Sequence, residues 1–310
     1  MDLADLDACA LYLQVNAIEC STSKNYATGA RDYINFCILH SLPLDPTLTT
    51  LSCYIAFSSQ FITSAPKYLT GMQHFLKDLY PEFDDNHSHP LMKSTIQGSK
   101  KVRADPILWK LPLHLAHLQL FVNVADCTGS FDDLLMAVLL LCAFYGCHCM
   151  GELIQKNDQS LFDWRKIIKQ ASLCLEDTRA QYHLPYHKSD SFYRGTNVIL
   201  TKQDVANPLR RQPINMSWHD HLHGARSALF LQENGSHPSR SWFDLKFFTI
   251  LDRRYSGHSP WTGYATLLAS LGLSESIIQA VGCWSSDAWK IYIRENPSIR
   301  VEQQLATIRL

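Results

Sequence analysis

The sequence predicts a mainly α-helical chain with a small antiparallel β-sheet, an α+β arrangement in two domains. Three observations carry that reading. The 310 residues are 46% hydrophobic and 18% charged, enough apolar material for two cores and too much for a disordered chain. Apolar residues recur at helical spacing through most of residues 1–85, 113–147 and 241–293. Between residues 171 and 200 the period shortens to that of strands.

Taken in order, Ser21 or Ser23 can cap a helix that carries Tyr26, Ala30, Tyr33, Phe36 and Cys37 and ends at Ser41-Leu42-Pro43. A second helix is expected over 48–61. A third starts near Ser64, with Pro66 in its first turn, and carries Tyr68, Met72, Phe75 and Leu79. The first and third share a pattern in which Tyr26 precedes Gly29, and Tyr68 precedes Gly71, by three residues. Repetition of one helical unit explains it; it also sets Lys24, Arg31, Lys67 and His74 on matching faces. Residues 81–90 read as a polar turn. Residues 98–106 are the most basic short run and have the composition of a linker, with Lys100, Lys101 and Arg103 suited to tracking a phosphate backbone. The domain boundary is therefore expected at 105, giving domains 1–105 and 106–310.

The second domain opens with helices over 113–126 and 131–147. Residues 171–175 and 181–186 read as a β-hairpin and 196–200 as a third strand. Residues 208–238 are rich in His and Arg and show no clear period. Helices resume at 241–251, 260–270, 274–281 and 286–293. Ser259 is expected as N-cap before Pro260, which puts residue 261 in a first helical turn, where unpaired backbone N–H groups favour an anion. Gly272 is the expected stop.

Charge and cysteine usage narrow the class. There are 28 Lys plus Arg against 29 Asp plus Glu, a formal net charge of −1, so nothing global advertises a nucleic-acid partner. The N-terminus is acidic and lacks the layout of a signal peptide. The longest charge-free apolar stretch, 134–147, is short of the roughly 20 residues of a membrane span. No membrane association is expected, and the chain reads as a protein of the nucleus or cytoplasm. Cys142, Cys147, His148 and Cys149 invite a zinc reading, but they are not a spaced ligand set on separate elements, so no metal is expected. His219, His221 and His223 are expected in a polar loop.

Several stretches nonetheless share one likeness. Gly257-His258-Ser259-Pro260-Trp261, Gly282-Cys283-Trp284 and Tyr292 resemble the C-terminal box of the tyrosine recombinase (phage integrase) family. That box is His-x-x-Arg, then Gly-Arg-Trp or Gly-His, then a Tyr eight or nine residues on. Residues 144–153 resemble the family's Gly-x-x-Arg-x-Gly-Glu-Leu motif, and residues 186–190 its β-hairpin lysine segment. The Tyr-Ala-Thr-Gly and Tyr-Leu-Thr-Gly stretches at 26–29 and 68–71 resemble its helical, SAM-like core-binding domain. The likeness covers nearly the whole chain and is greatest to fungal, transposon-derived DNA breaking-rejoining enzymes.

The resemblance implies a helical core-binding domain followed by a catalytic-type domain, together clamping double-stranded DNA, with no nucleotide cofactor. In the family a tyrosine attacks a backbone phosphate, forming a phosphotyrosyl link that a second strand resolves. Carried over, Tyr292 is the nucleophile position and Lys188 the general-acid position, while His258 and Trp284 assist. The two arginines that clamp the phosphate oxygens fall at Cys149 and Trp261, and neither is arginine. Position 283, often Arg before this Trp, is also Cys. Arg-to-Cys and Arg-to-Trp each arise by one C-to-T change in a CGN codon, the damage expected of a decaying mobile element. The resemblance also implies oligomers on DNA, through docking of a C-terminal helix on a neighbouring protomer.

Overall fold

A computed structural model describes residues 2–103, 109–187, 190, 192–224 and 228–282. The chain divides into two compact units, Met1–Leu108 and Trp109–Leu310. It is mainly helical with one small antiparallel sheet.

The first unit contains α1 (Leu3–Val15), α2 (Cys20–Leu39), α3 (Leu48–Ser58), α4 (Ala65–Leu76), α5 (Phe83–Ser88) and α6 (Pro90–Arg103). Its core gathers Tyr33, Phe36 and Cys37 from α2, Leu51, Tyr54 and Ile55 from α3, Leu69 and Met72 from α4, Phe83 and Met92. The buried Tyr54 hydroxyl donates to Asp32 at 2.7 Å, so the ring enters the core with its polar tip satisfied.

The repeated tyrosine–glycine pattern has a packing reason. A Cβ on Gly29 would lie 2.6 Å from the carbonyl oxygen of Tyr68, and one on Gly71 would lie 2.4 Å from that of Tyr26. Each glycine therefore lets α2 and α4 approach at the backbone of the other's tyrosine. The crossing is reciprocal, so both glycines are needed at once. Tyr26 and His74 meet across it, ring centroids 5.3 Å apart. Lys24, Arg31 and Lys67 remain exposed on these two helices.

Four expectations for this unit need correction. The first long helix begins at Cys20 after Glu19, with neither Ser21 nor Ser23 capping it. The second stops at Ser58, and its N-terminus is capped by Thr47. The stretch 81–90 holds α5, because Phe83 has a core to enter. The basic run 98–103 is the end of α6 and not a linker. Met92 and Ile96 anchor that helix, and its last-turn Lys100, Lys101 and Arg103 complement the negative end of the helix dipole. Arg103 also donates through Nη1 to the carbonyl of Ser59 at 2.7 Å, tying α6 to the end of α3.

The second unit is built around α8 (Phe131–Tyr145), buried at every residue except Asp132 and Asp133. A helix apolar all round must be covered on all sides. The cover comes from α7 (Leu115–Thr128), α10 (Pro208–His223), α11 (Arg240–Ile250) and α12 (Ser259–Ser270). Short α9 (Met150–Leu153) follows α8, and α13 (Glu275–Val281) follows α12. The sheet is β1 (Cys174–Leu175), β2 (Arg179–Leu184) and β3 (Thr196–Thr201), antiparallel in that order, with Tyr182 opposite Val198. Alternate residues Ala180, Tyr182 and Leu184 of β2 are buried, as a half-buried strand requires.

Here too the sequence misleads in places. Residues 170–172 form a 3₁₀ turn, which leaves β1 only two residues. The His- and Arg-rich stretch contains α10, opened by the Asn207 side chain capping Leu209 N–H, with Pro208 in the first turn. His219, His221 and His223 therefore lie on a helix and not in a loop, with His219 buried against the carbonyl of Ala228. Gly272 does stop α12, at φ 77°. No described helix is long and apolar enough to cross a membrane. The expected helix over 286–293 lies outside the described residues.

The α2–α4 crossing makes a direct prediction. Gly71→Ala should destabilise the chain by about 1–3 kcal/mol through overpacking, and Gly29→Ala by a similar amount. Gly98→Ala, at an open helical position, should change little or stabilise slightly. Thermal melts of the three variants check this.

Candidate functional site

Three chain segments converge at the end of α8. The first is the turn after that helix. Gly146 N–H bonds the carbonyl of Cys142, Cys147 N–H that of Phe144, and His148 N–H that of Ala143 at 2.8 Å. With Cys147 at φ 54°, this is a Schellman closure carrying a cysteine where glycine is usual. The reversal delivers Cys149 to the N-cap of α9, where the Glu152 carboxylate accepts from its backbone N–H at 3.2 Å. Glu152 also lies 3.6 Å from Nδ1 of buried His148.

The second segment runs from Ser256 to Trp261. Ser259 does not cap α12 as expected; His258 occupies the cap, and the Ser259 hydroxyl accepts from Ser256 N–H at 2.9 Å, tightening the turn before it. Two contacts fix where α12 starts. Leu113 N–H bonds the carbonyl of Ser259 at 2.9 Å. A Cβ on Gly263 would lie 2.2 Å from the carbonyl of Leu113 and 2.8 Å from the Phe144 ring, so this helix can sit so close to α8 only through glycine.

The first two segments are joined by Met150 N–H donating to the carbonyl of Gly257 at 3.2 Å. The result brings together two side chains 109 residues apart: Cys149 Sγ lies 3.4 Å from Nδ1 of His258. Trp261 stands in the first turn of α12, half-buried, three residues beyond His258. The third segment is 237–240, held by Gln155 N–H to Pro238 at 2.7 Å and Arg240 N–H to Gln155 at 2.9 Å. It carries Arg240 to within 2.9 Å of the position a Cβ would take on Gly257.

Two tyrosines of the β2–β3 connection carry cations on their ring faces. Lys166 Nζ lies 4.1 Å from the centre of the Tyr186 ring, and the Arg165 guanidinium 4.8 Å from that of Tyr193. Arg165 also forks onto Asp163, and these hydrogen bonds hold the Asp163 carboxyl below its ordinary value, against the opposing effect of burial. A hollow beside α9 is lined by Glu152, Gln155, Lys166, Phe230 and His237. Burial, helped by the Lys169 charge, lowers the His237 pKa.

Of the residues expected in the site, the structure brings Cys149 and His258 into contact and puts Trp261 on the same turn as His258. Lys188, Trp284, Cys283 and Tyr292 lie outside the described residues. Arg240 and Lys166 were not expected, and no motif marks either. The cysteines near the site differ in character: Cys142 is sunk in the core, where burial pushes its thiol up to about 12 despite a hydrogen bond from Gln212 at 3.1 Å. Among the described residues, no group of three or more His, Cys, Asp or Glu is arranged to hold a metal ion.

No family model matches the chain, and no curated protein matches it by sequence. Solved structures do. The XerH site-specific recombinase bound to a palindromic difH substrate, a post-cleavage complex, superposes with a TM-score of 0.53 at 14% identity, over 85% of this chain and 73% of that one. A lambda integrase dimer bound to a COC′ core site gives 0.52 at 13% identity, over 94% and 95%. The chain has the fold of these recombinases.

The thiol–imidazole contact is open to test. An imidazole accepting from a thiol makes it the better nucleophile. Cys149 should therefore alkylate with iodoacetamide several-fold faster in the native chain than in His258→Ala, while Cys142 stays protected in both. Peptide mass mapping over a time course reads both rates.

Proposed function

We propose that this chain is a DNA-binding protein of the tyrosine recombinase type, related to DNA recombination and integration, with its strand-cleaving chemistry impaired. The observation that carries the reading is the meeting of Cys149 and His258 at 3.4 Å. They come from two motifs far apart in sequence, and the resemblance requires exactly those two positions to share one phosphate. The recombinase fold and the DNA in both superposed structures support it. Residues 1–105 act as the core-binding domain and 106–310 as the catalytic-type domain.

In this reading the reaction, where it runs, uses Tyr292 as nucleophile and Lys188 as acid to the leaving oxygen. His258 and Trp284 assist proton transfer and position the phosphate. No metal or nucleotide cofactor takes part. The phosphorane-like transition state gathers negative charge on its non-bridging oxygens. Arginine meets such oxygens with a planar fork of donors that is always charged. Cys149 offers a weak S–H donor and Trp261 a single indole N–H. Losing one preorganised donor costs roughly 10²–10³ in rate, and two lost at one phosphate cost at least as much. Binding suffers less, because most of the affinity for duplex comes from phosphate contacts spread over the protein.

The six basic residues Lys24, Arg31, Lys67, Lys100, Lys101 and Arg103 supply such contacts from the first unit. On duplex DNA the chain acts as a homo-oligomer, in the nucleus or cytoplasm. A second reading, suggested by residues at 149, 261 and 283 that each lie one C-to-T change from an arginine codon, is a relic of a mobile element that is catalytically dead yet DNA-binding, or has no function at all.

Titrating a labelled duplex with the chain at several salt concentrations separates DNA binding, dead or impaired, from the functionless relic. With about −0.9 per neutralised phosphate, a protein engaging five or six of those residues should show a slope of log K on log salt of about −5. Absence of binding at low salt, or a slope near zero, would leave only the functionless relic.

A further inference from the structure

The site is short of positive charge at the two positions where the resemblance asks for it. We infer that Arg240 supplies a guanidinium there and binds the same phosphodiester as His258; this rests on the DNA-binding reading above. Arg240 is neither of the two family positions. It opens α11, and its backbone N–H bonds the carbonyl of Gln155 at 2.9 Å beside a parallel bridge between Gln155 and Ser239. It is thus anchored to the chain that leaves Cys149 and α9.

The side chain is held by its inner nitrogen. Nε donates to Asp244 at 3.1 Å, and the fork end projects beyond that contact. Nη1 comes to rest over Gly257, 2.9 Å from where a Cβ would stand, with the guanidinium carbon 3.6 Å from the same point. Gly257 precedes His258, and its carbonyl takes the Met150 N–H. The Arg240 fork therefore lies against Gly257, the residue before His258, whose carbonyl is bonded to Met150, the residue after Cys149. Gly257 has an ordinary backbone conformation, so the absent Cβ serves to make room for the guanidinium and not to permit a strained turn.

Charge and exposure fit an anion from outside. The Arg240 side chain is 43% accessible, so an anion can approach it from solvent. Asp244 fixes the arm at Nε and steers the Nη groups away from itself, as a fork aimed at phosphate oxygens requires. The neighbouring Arg254 is differently placed: it grips Asp252 through Nη2 at 2.7 Å as well as through Nε at 3.0 Å. One guanidinium entering from α11 gives affinity for a phosphate. It does not rebuild a two-arginine clamp, so binding survives where cleavage does not.

The experiment compares duplex affinity and its salt dependence for the native chain, Arg240→Gln, Arg240→Lys and Gly257→Ala, each first shown to melt cooperatively. Arg240→Gln should weaken binding roughly tenfold at low salt and make the slope shallower by about one phosphate contact. Arg240→Lys should keep the native slope with a smaller loss of affinity, because charge remains without the fork. Gly257→Ala should weaken binding at unchanged net charge, since its new methyl group crowds Nη1 aside. Native-like affinity and slope in both Arg240→Gln and Gly257→Ala would overturn the role of Arg240 and leave the DNA reading standing. A native chain that does not bind duplex at all would remove both.

Discussion

The hydrogen bond from Met150 N–H to the Gly257 carbonyl is the contact on which the candidate site depends. It unites the turn that closes α8 with the turn that opens α12, and each turn is locked on its own side. Cys147 bears the left-handed conformation that lets the chain reverse within three residues of α8, at a steric cost of about 1–2 kcal/mol. On the other side Gly263 lets α12 reach the Leu113 backbone and the Phe144 ring. The rigid body behind both is α8, buried along nearly its whole length. A fully packed helix has little freedom to shift, so the contact between Cys149 and His258 inherits its precision from the core.

Charge explains why so specific a pocket left no trace in the composition. A net charge of −1 says nothing about DNA because it averages over the whole chain. Locally the balance is uneven. Lys100, Lys101 and Arg103 gather in the last turn of α6, whereas Cys149 and Trp261 put neutral side chains at the convergence point. Three arginines at 149, 261 and 283 would alone turn the chain net positive. On the proposed reading the deficit lies at that one site, with Arg240 at its edge.

Much of the fold was legible in the sequence because helices of this kind announce themselves by period. The run from Leu134 to Tyr145 is apolar on every face and reads as a core helix. The strands Arg179–Leu184 and Thr196–Thr201 follow from alternation. What misled was composition read without tertiary context. The basic tail of α6 looks like a linker until Met92 and Ile96 are seen to anchor it, and the polar stretch near Phe83 looks like a turn until that ring finds a core. At the site, motif order pointed to Cys149, Trp261 and His258. Arg240 was hidden because its role follows from a missing Cβ 17 positions later in the chain, a relation no local pattern encodes.

The central claim is that this is a recombinase-type phosphate site disabled by the loss of its two clamping arginines. It is tested most directly by trapping: a nicked suicide duplex is incubated with the native chain and with Cys149→Arg/Trp261→Arg, and the covalent protein–DNA adduct is measured by denaturing gel. The account predicts little or no adduct from the native chain. It predicts a marked gain in the double variant, lost again when Tyr292→Phe is added. Rapid adduct formation by the native chain, with no gain from the two arginines, would contradict it.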